Sequence, residues 1–160
     1  MSRSPALVLA FLVLPGCADV DHAGGGRAVG PEVAVPLVAS ARNAGEVGQA
    51  VLIPAGPQTR VALTISGVPT WTSLPVHVYT SIVEGGCEGV SDHVLFALND
   101  RVLPDAAAGG SVATGKGPFM LSHLVNAPLD ELVQGGRALV LRTAPADGGE
   151  VIFCGALRRG

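Results

Sequence analysis

The side chains of this chain that could hold a metal or form a covalent link are few: four histidines, three cysteines and one tyrosine. His77 and Tyr79 stand two residues apart in Pro75-Val76-His77-Val78-Tyr79, a spacing that puts both on one face of an extended strand. His93 follows Cys87 by six residues. Neutral imidazole is a common metal ligand, so a weak metal-binding set can be drawn from His77, Tyr79 and His93, with His123 or Met120 as outer members. The competing reading is plainer. His77 and Tyr79 are then ordinary same-face strand residues, Met120 and Phe119 belong to an apolar core strand, and His22 is solvated in a glycine-rich stretch. No residue is expected to be catalytic, because the chain has no Gly-x-Ser-x-Gly, no glycine-rich phosphate loop ahead of a helix and no close carboxylate pair flanked by aromatics.

The third cysteine carries a different chemistry. Arg3 precedes the apolar run from Ala6 to Leu14, and the segment ends Leu14-Pro15-Gly16-Cys17, which has the form of a secretory signal too short to span a bilayer. A cysteine after Leu-x-Gly resembles a bacterial lipobox, whose thiol is acylated and becomes the first residue of the mature chain; the alternative is an ordinary cleaved signal with an incidental cysteine. Acyl chains on Cys17 would each add about 0.8 kcal/mol per buried methylene and make the membrane the partner, without any spanning helix. Ala18 in place of Asp favours, by analogy with lipoprotein sorting, the outer membrane of a Gram-negative envelope, facing the periplasm.

Cleavage before Cys17 removes one arginine, leaving nine Lys and Arg against thirteen Asp and Glu, a net charge of 9 − 13 = −4. Only Arg158 and Arg159 cluster, which excludes a nucleic-acid surface. With Cys17 assigned to lipid, Cys87 and Cys154 remain as one pair in an oxidising compartment, either bridged or as two buried thiols. A bridge would close a loop of about 68 residues and stabilise the fold by roughly 4 kcal/mol.

What must position these side chains is an all-β domain. Residues 18–31 are glycine-rich and aperiodic, as expected of a tether, so the sequence divides into a signal over 1–16, a lipid-anchored tether over 17–31 and a domain over 32–160. Short β-branched runs predict strands over 32–38, 49–54, 59–66, 75–80, 93–99, 117–123, 138–143 and 150–155, with Pro36 confining the first to an edge or bulge. Arg60, Ala62 and Thr64 alternate with Val61, Leu63 and Ile65, one wet face and one buried. Strands this short and regularly spaced build a sandwich or barrel. Residues 128–133 predict one short helical turn, with proline at its start and acids in its first turn.

Several segments in order resemble the copper/zinc superoxide dismutase family and small bacterial lipoproteins similar to it. Gly48-Gln49-Ala50-Val51-Leu52 and Thr59-Arg60-Val61-Ala62-Leu63 look like its opening hairpin. Pro75-Val76-His77-Val78-Tyr79 falls where the family carries Pro-x-His-x-His ahead of Gly-x-Cys, and Phe153-Cys154-Gly155 resembles its closing Ala-Cys-Gly. The resemblance implies a Greek-key fold of seven to eight antiparallel strands with at most one short helical turn. It also implies a degenerate metal site: His77 matches a ligand, Tyr79 replaces the second histidine, Arg142 replaces the last, and His93 sits at the spacing of the bridging one. The zinc loop is missing from 88–100, and Val151 stands where a substrate-steering arginine is expected. Two imidazoles beside a guanidinium do not make a redox copper site. The expected function is therefore a non-enzymatic envelope lipoprotein acting as a structural or binding module; copper handling, or a residual dismutase, is the alternative, and the protein partner is left open. If Cys17 is the acylated residue, Cys17→Ser should abolish incorporation of labelled fatty acid into the full chain, read by autoradiography of the immunoprecipitated protein.

Overall fold

The computed structural model describes residues 30–159; Cys17, His22 and nearly all of the expected tether lie outside the described residues. The period-two pattern does what it predicts. In β1 (Val33–Ala39), Val33, Val35 and Leu37 are buried and the residues between them exposed. The same alternation runs through β2 (Gly48–Ala55) and β3 (Gln58–Ile65), joined by a Gly56-Pro57 turn in which Gly56 adopts the positive φ that a tight hairpin requires. β4 (Val78–Glu84), β5 (Val94–Asn99), β6 (Leu103–Pro104), β7 (Phe119–Val125), β8 (Gln134–Thr143) and β9 (Val151–Arg158) complete an antiparallel all-β fold.

The strand order is β5-β4-β8-β9-β1-β2-β3-β7-β6. β1 belongs to both halves: Val33 to Leu37 pair with β2, whereas only Val38 and Ala39 pair with β9. Pro36 therefore sits where one edge of β1 is free, as its missing N–H demands, although the strand is central in the order. At the far side β5 packs against β7 without a hydrogen-bonded ladder, so the sheet curls into a half-barrel. β4, β5 and β7 follow one another around that open side, and β8 returns through α1 (Leu129–Leu132) to pair with β4, which is a Greek key.

Three expectations are corrected. Among the described residues there are nine strands, the additional one being the two-residue β6, and besides α1 there are three 3-10 turns, at Ala41–Asn43, Ala106–Ala108 and Pro145–Asp147. The strand expected over 75–80 begins only at Val78 and runs on to Glu84, so that His77 precedes it. Pro75 lacks an N–H, and the backbone N–H of Val76 instead bonds the carbonyl of Val112 in a connecting loop. Met120 is not core: Phe119 is fully buried, and the alternation turns Met120 outward with 38 % of its surface exposed.

Inward side chains from both halves form one core, with Phe119, Phe153, Leu52, Ile65, Ile82, Leu139 and Leu141 completely buried. The crossover from β3 to β4 is fastened to the β8–β9 turn by Asp147, whose carboxylate accepts from the Ser73 N–H at 3.1 Å and from the Ser73 hydroxyl. Where β9 meets β1 the backbones come close at Gly155. A Cβ there would lie 2.7 Å from Val35, 2.8 Å from Leu37 and 2.8 Å from the Pro36 carbonyl oxygen. Gly155→Ala should therefore cost about 1–3 kcal/mol, the usual range for overpacking, measured as a lowered urea midpoint.

Candidate functional site

β4 turns Val78, Thr80 and Ile82 inward and leaves Tyr79 on the outer face, with His77 half-buried just ahead of it. The neighbouring strand brings Arg142 directly opposite Tyr79. The Arg142 guanidinium is held on two sides, donating to the carbonyl of Gly149 at 3.2 Å and to the Asp92 carboxylate at 3.1 Å. A register shift between β8 and β9 also places Val151 opposite Arg142. The position expected to hold a steering arginine is thus apolar, with a guanidinium supplied next to it by the adjacent strand.

His93 is elsewhere. It lies one residue before β5, and its Nδ1 is 3.0 Å from Glu84 at the far end of β4. Glu84 and Tyr79 are five residues apart on one strand, so His93 is roughly 16 Å from the Tyr79 position at about 3.3 Å per residue. His123 is on β7, opposite Val61, beside the seam where β5 meets β7, and Met120 is on the outer face of β7. His77 stands just ahead of β4 and Tyr79 on its outer face, while His93 lies by Glu84 and His123 and Met120 lie on β7. Among the described residues no three His, Cys, Asp or Glu side chains gather at one point.

Beside Tyr79 and Arg142 is a surface cleft of about 380 Å³, walled by Val94, Leu98, Asn99 and Asp100. Two register shifts between β4 and β5 shape it, the first leaving Leu98 as an extra residue between Ala97 and Asn99. Thr80 contributes to its wall and is 3 % exposed, and its hydroxyl has no hydrogen-bond partner. The cleft thus combines an apolar wall, an aromatic ring, a carboxylate, a carboxamide and a guanidinium edge.

The disulfide is formed: Cys87 and Cys154 are bonded, with Cα atoms 5.7 Å apart. It pins the loop over residues 85–93 across the outer face of β4, β8 and β9, where Val83, Ala138, Val140 and Cys154 form a second apolar cluster with Val90 and Val151 packed on it. This explains why β8 is buried on both faces from Ala138 to Leu141. The Asp92–Arg142 ion pair is a second tie on the same loop. Asp92 is 97 % exposed, so that pair contributes little energy and chiefly sets where the guanidinium points. Arg142 stood out in the sequence as the replacement for a ligand, but its partner fifty residues earlier carries no local signal, since nothing in Ser91-Asp92-His93 sets that aspartate apart.

Scans against protein-family models, curated proteins and solved structures return no match for this chain. The fold and the site define an all-β Greek-key protein with a disulfide-pinned loop and a small polar-rimmed cleft. Breaking the pin with Cys87→Ala should lower stability by about 2–5 kcal/mol in urea unfolding and speed amide exchange across residues 85–93.

Proposed function

We propose that this chain is a non-enzymatic lipoprotein of the bacterial cell envelope, anchored through Cys17, that carries a superoxide dismutase-like Greek-key domain as a binding module. On this reading the former metal site has become the cleft beside Tyr79 and Arg142. The observation that carries it is the pairing of Tyr79 with Arg142, whose charge is fixed in place by Asp92 and the Gly149 carbonyl. A guanidinium cannot ligate a metal and repels a cation brought beside it, so the donor set around His77 and Tyr79 does not fit a resident copper ion. The likeness to the dismutase family draws support from the sandwich architecture, which that family shares with many others, and from the disulfide joining the last strand to the loop after β4. Architecture alone does not carry an activity, which is why the reading rests on the site. The envelope location rests on Leu14-Pro15-Gly16-Cys17 and on Ala18.

Copper handling through His77 and Tyr79, or residual dismutation, is the competing reading, and one experiment separates the two. In an anaerobic titration with Cu(I) and Cu(II), the protein should retain no stoichiometric copper against a competing chelator and should show no superoxide dismutation above that of free copper. Arg142→His, which exchanges the cation for an imidazole, should raise copper affinity at least tenfold. Tight one-to-one binding with dismutation by the unaltered protein would overturn the proposal.

A further inference from the structure

The outer face of the other half-barrel, opposite in character to the one bearing the cleft, is almost without charge. Its outward side chains fall into three rows across the strands. One reads Ala34, Val51, Ala62, Ser122, and the next Pro36, Gln49, Thr64, Met120, Leu103. The third is Ile53, Arg60, Leu124, and it begins with Glu32, which the alternation of β1 places outward one step beyond the Val33–Leu52 pair. Leu103, Leu124 and Met120 are large apolar side chains exposed on this face, at 64 %, 43 % and 38 %. The outer face of β1, β2, β3 and β7, four strands about 4.8 Å apart and some seven residues long, covers roughly 450 Å², the size of patch that often marks an interaction site.

Glu32 and Arg60 are the only charged residues in these rows, they share one row, and they lie two strands apart with β2 between them. That arrangement is self-complementary. If a second copy is laid face to face about a two-fold axis running along β2, each row stays level with itself and β1 of one copy covers β3 of the other. Glu32 of each copy then meets Arg60 of its partner, twice, while Val51 and Ile53 meet their own counterparts and Ala34 covers Ala62. An in-plane axis across the strands would bring neither charge to its opposite. The same choice of axis keeps the two β1 strands parallel, so both copies enter the domain from the segment before Gly30 at the same end. Two chains tethered to one surface through that segment can therefore form this pair without either turning over.

We propose that the outer face of β1, β2, β3 and β7 is an isologous interface between two copies of this chain, fixed in orientation by reciprocal Glu32–Arg60 ion pairs around a Val51–Ile53 centre. The two faces together cover about 900 Å², just under the size of a stable interface and in the range of weak, transient contacts, so the pair is reversible, and tethering both copies to one surface favours it. The test uses the full chain in its native membranes with Val51→Cys added and a short bismaleimide as cross-linker. The unaltered chain and a chain with Ser81→Cys, on the opposite outer face, serve as controls. Val51→Cys should give cross-linked dimer at least fivefold above both controls. Adding either Glu32→Arg or Arg60→Glu should lower the yield at least fivefold, and the two together should restore it to within about twofold. Yield equal to the controls, or a yield that ignores the charge reversals, would overturn the proposal. So would a residue-51 cysteine that takes up a lipid-soluble maleimide and protects no partner, which would assign the face to the bilayer instead.

Discussion

Everything in this fold turns on one strand serving two sheets. β1 pairs with β2 along most of its length and with β9 only at Val38 and Ala39. The change of partner takes place beside Pro36, which has no N–H to leave unpaired, and beside Gly155, which has no side chain to hold β9 away from it. Because the handover is that tight, the inward side chains of both halves reach a common interior, and Leu37, Ile65 and Phe153 all crowd around the glycine at position 48. A looser crossing would leave two separate ribbons, neither of which could bury both of its faces.

The same economy explains the asymmetry between the two outer faces. On the β4–β8–β9 side a loop is folded back and bonded down, so a strip of apolar side chains beneath it is protected by the chain itself, while Tyr79 remains in solvent beside Arg142. On the β2–β3–β7 side nothing among the described residues covers the sheet, and its outward positions are small or apolar. One face of the molecule carries a small polar-rimmed cleft shaped by strand irregularities. The other has the low charge that suits contact with another sheet.

The ion pair at Arg142 shows how little energy is needed to set the direction of a charge. A solvent-exposed Asp92–Arg142 contact is worth at most about 1 kcal/mol to stability. Yet it orients a permanent positive charge beside the one tyrosine of the chain, and the sign of that charge governs which ligands can approach. The disulfide, worth several times as much, secures the loop that carries Asp92, so the strong constraint supports the weak, decisive one.

Much of this was legible before any coordinates. Alternation over Val61, Leu63 and Ile65, the Gly56-Pro57 turn and the pairing of the two cysteines of the domain are local or countable, and each predicts its element because backbone period and turn chemistry act over a few residues. Boundaries were less legible. The strand after Pro75 starts three residues late, and the outward turn of Met120 depends on register with β3. What only the tertiary structure decided are the meetings of residues far apart in sequence. Tyr79 faces Arg142, Arg142 reaches Asp92, and His93 is drawn to Glu84 and away from His77, because strand order and register set those distances and no local signal encodes them. The sequence by itself determined which residues could form strands, turns and bridges, since these follow from each residue's own backbone preferences and polarity. The arrangement of the outer faces came from packing, since only the closure of the sheets chooses which of those residues become neighbours.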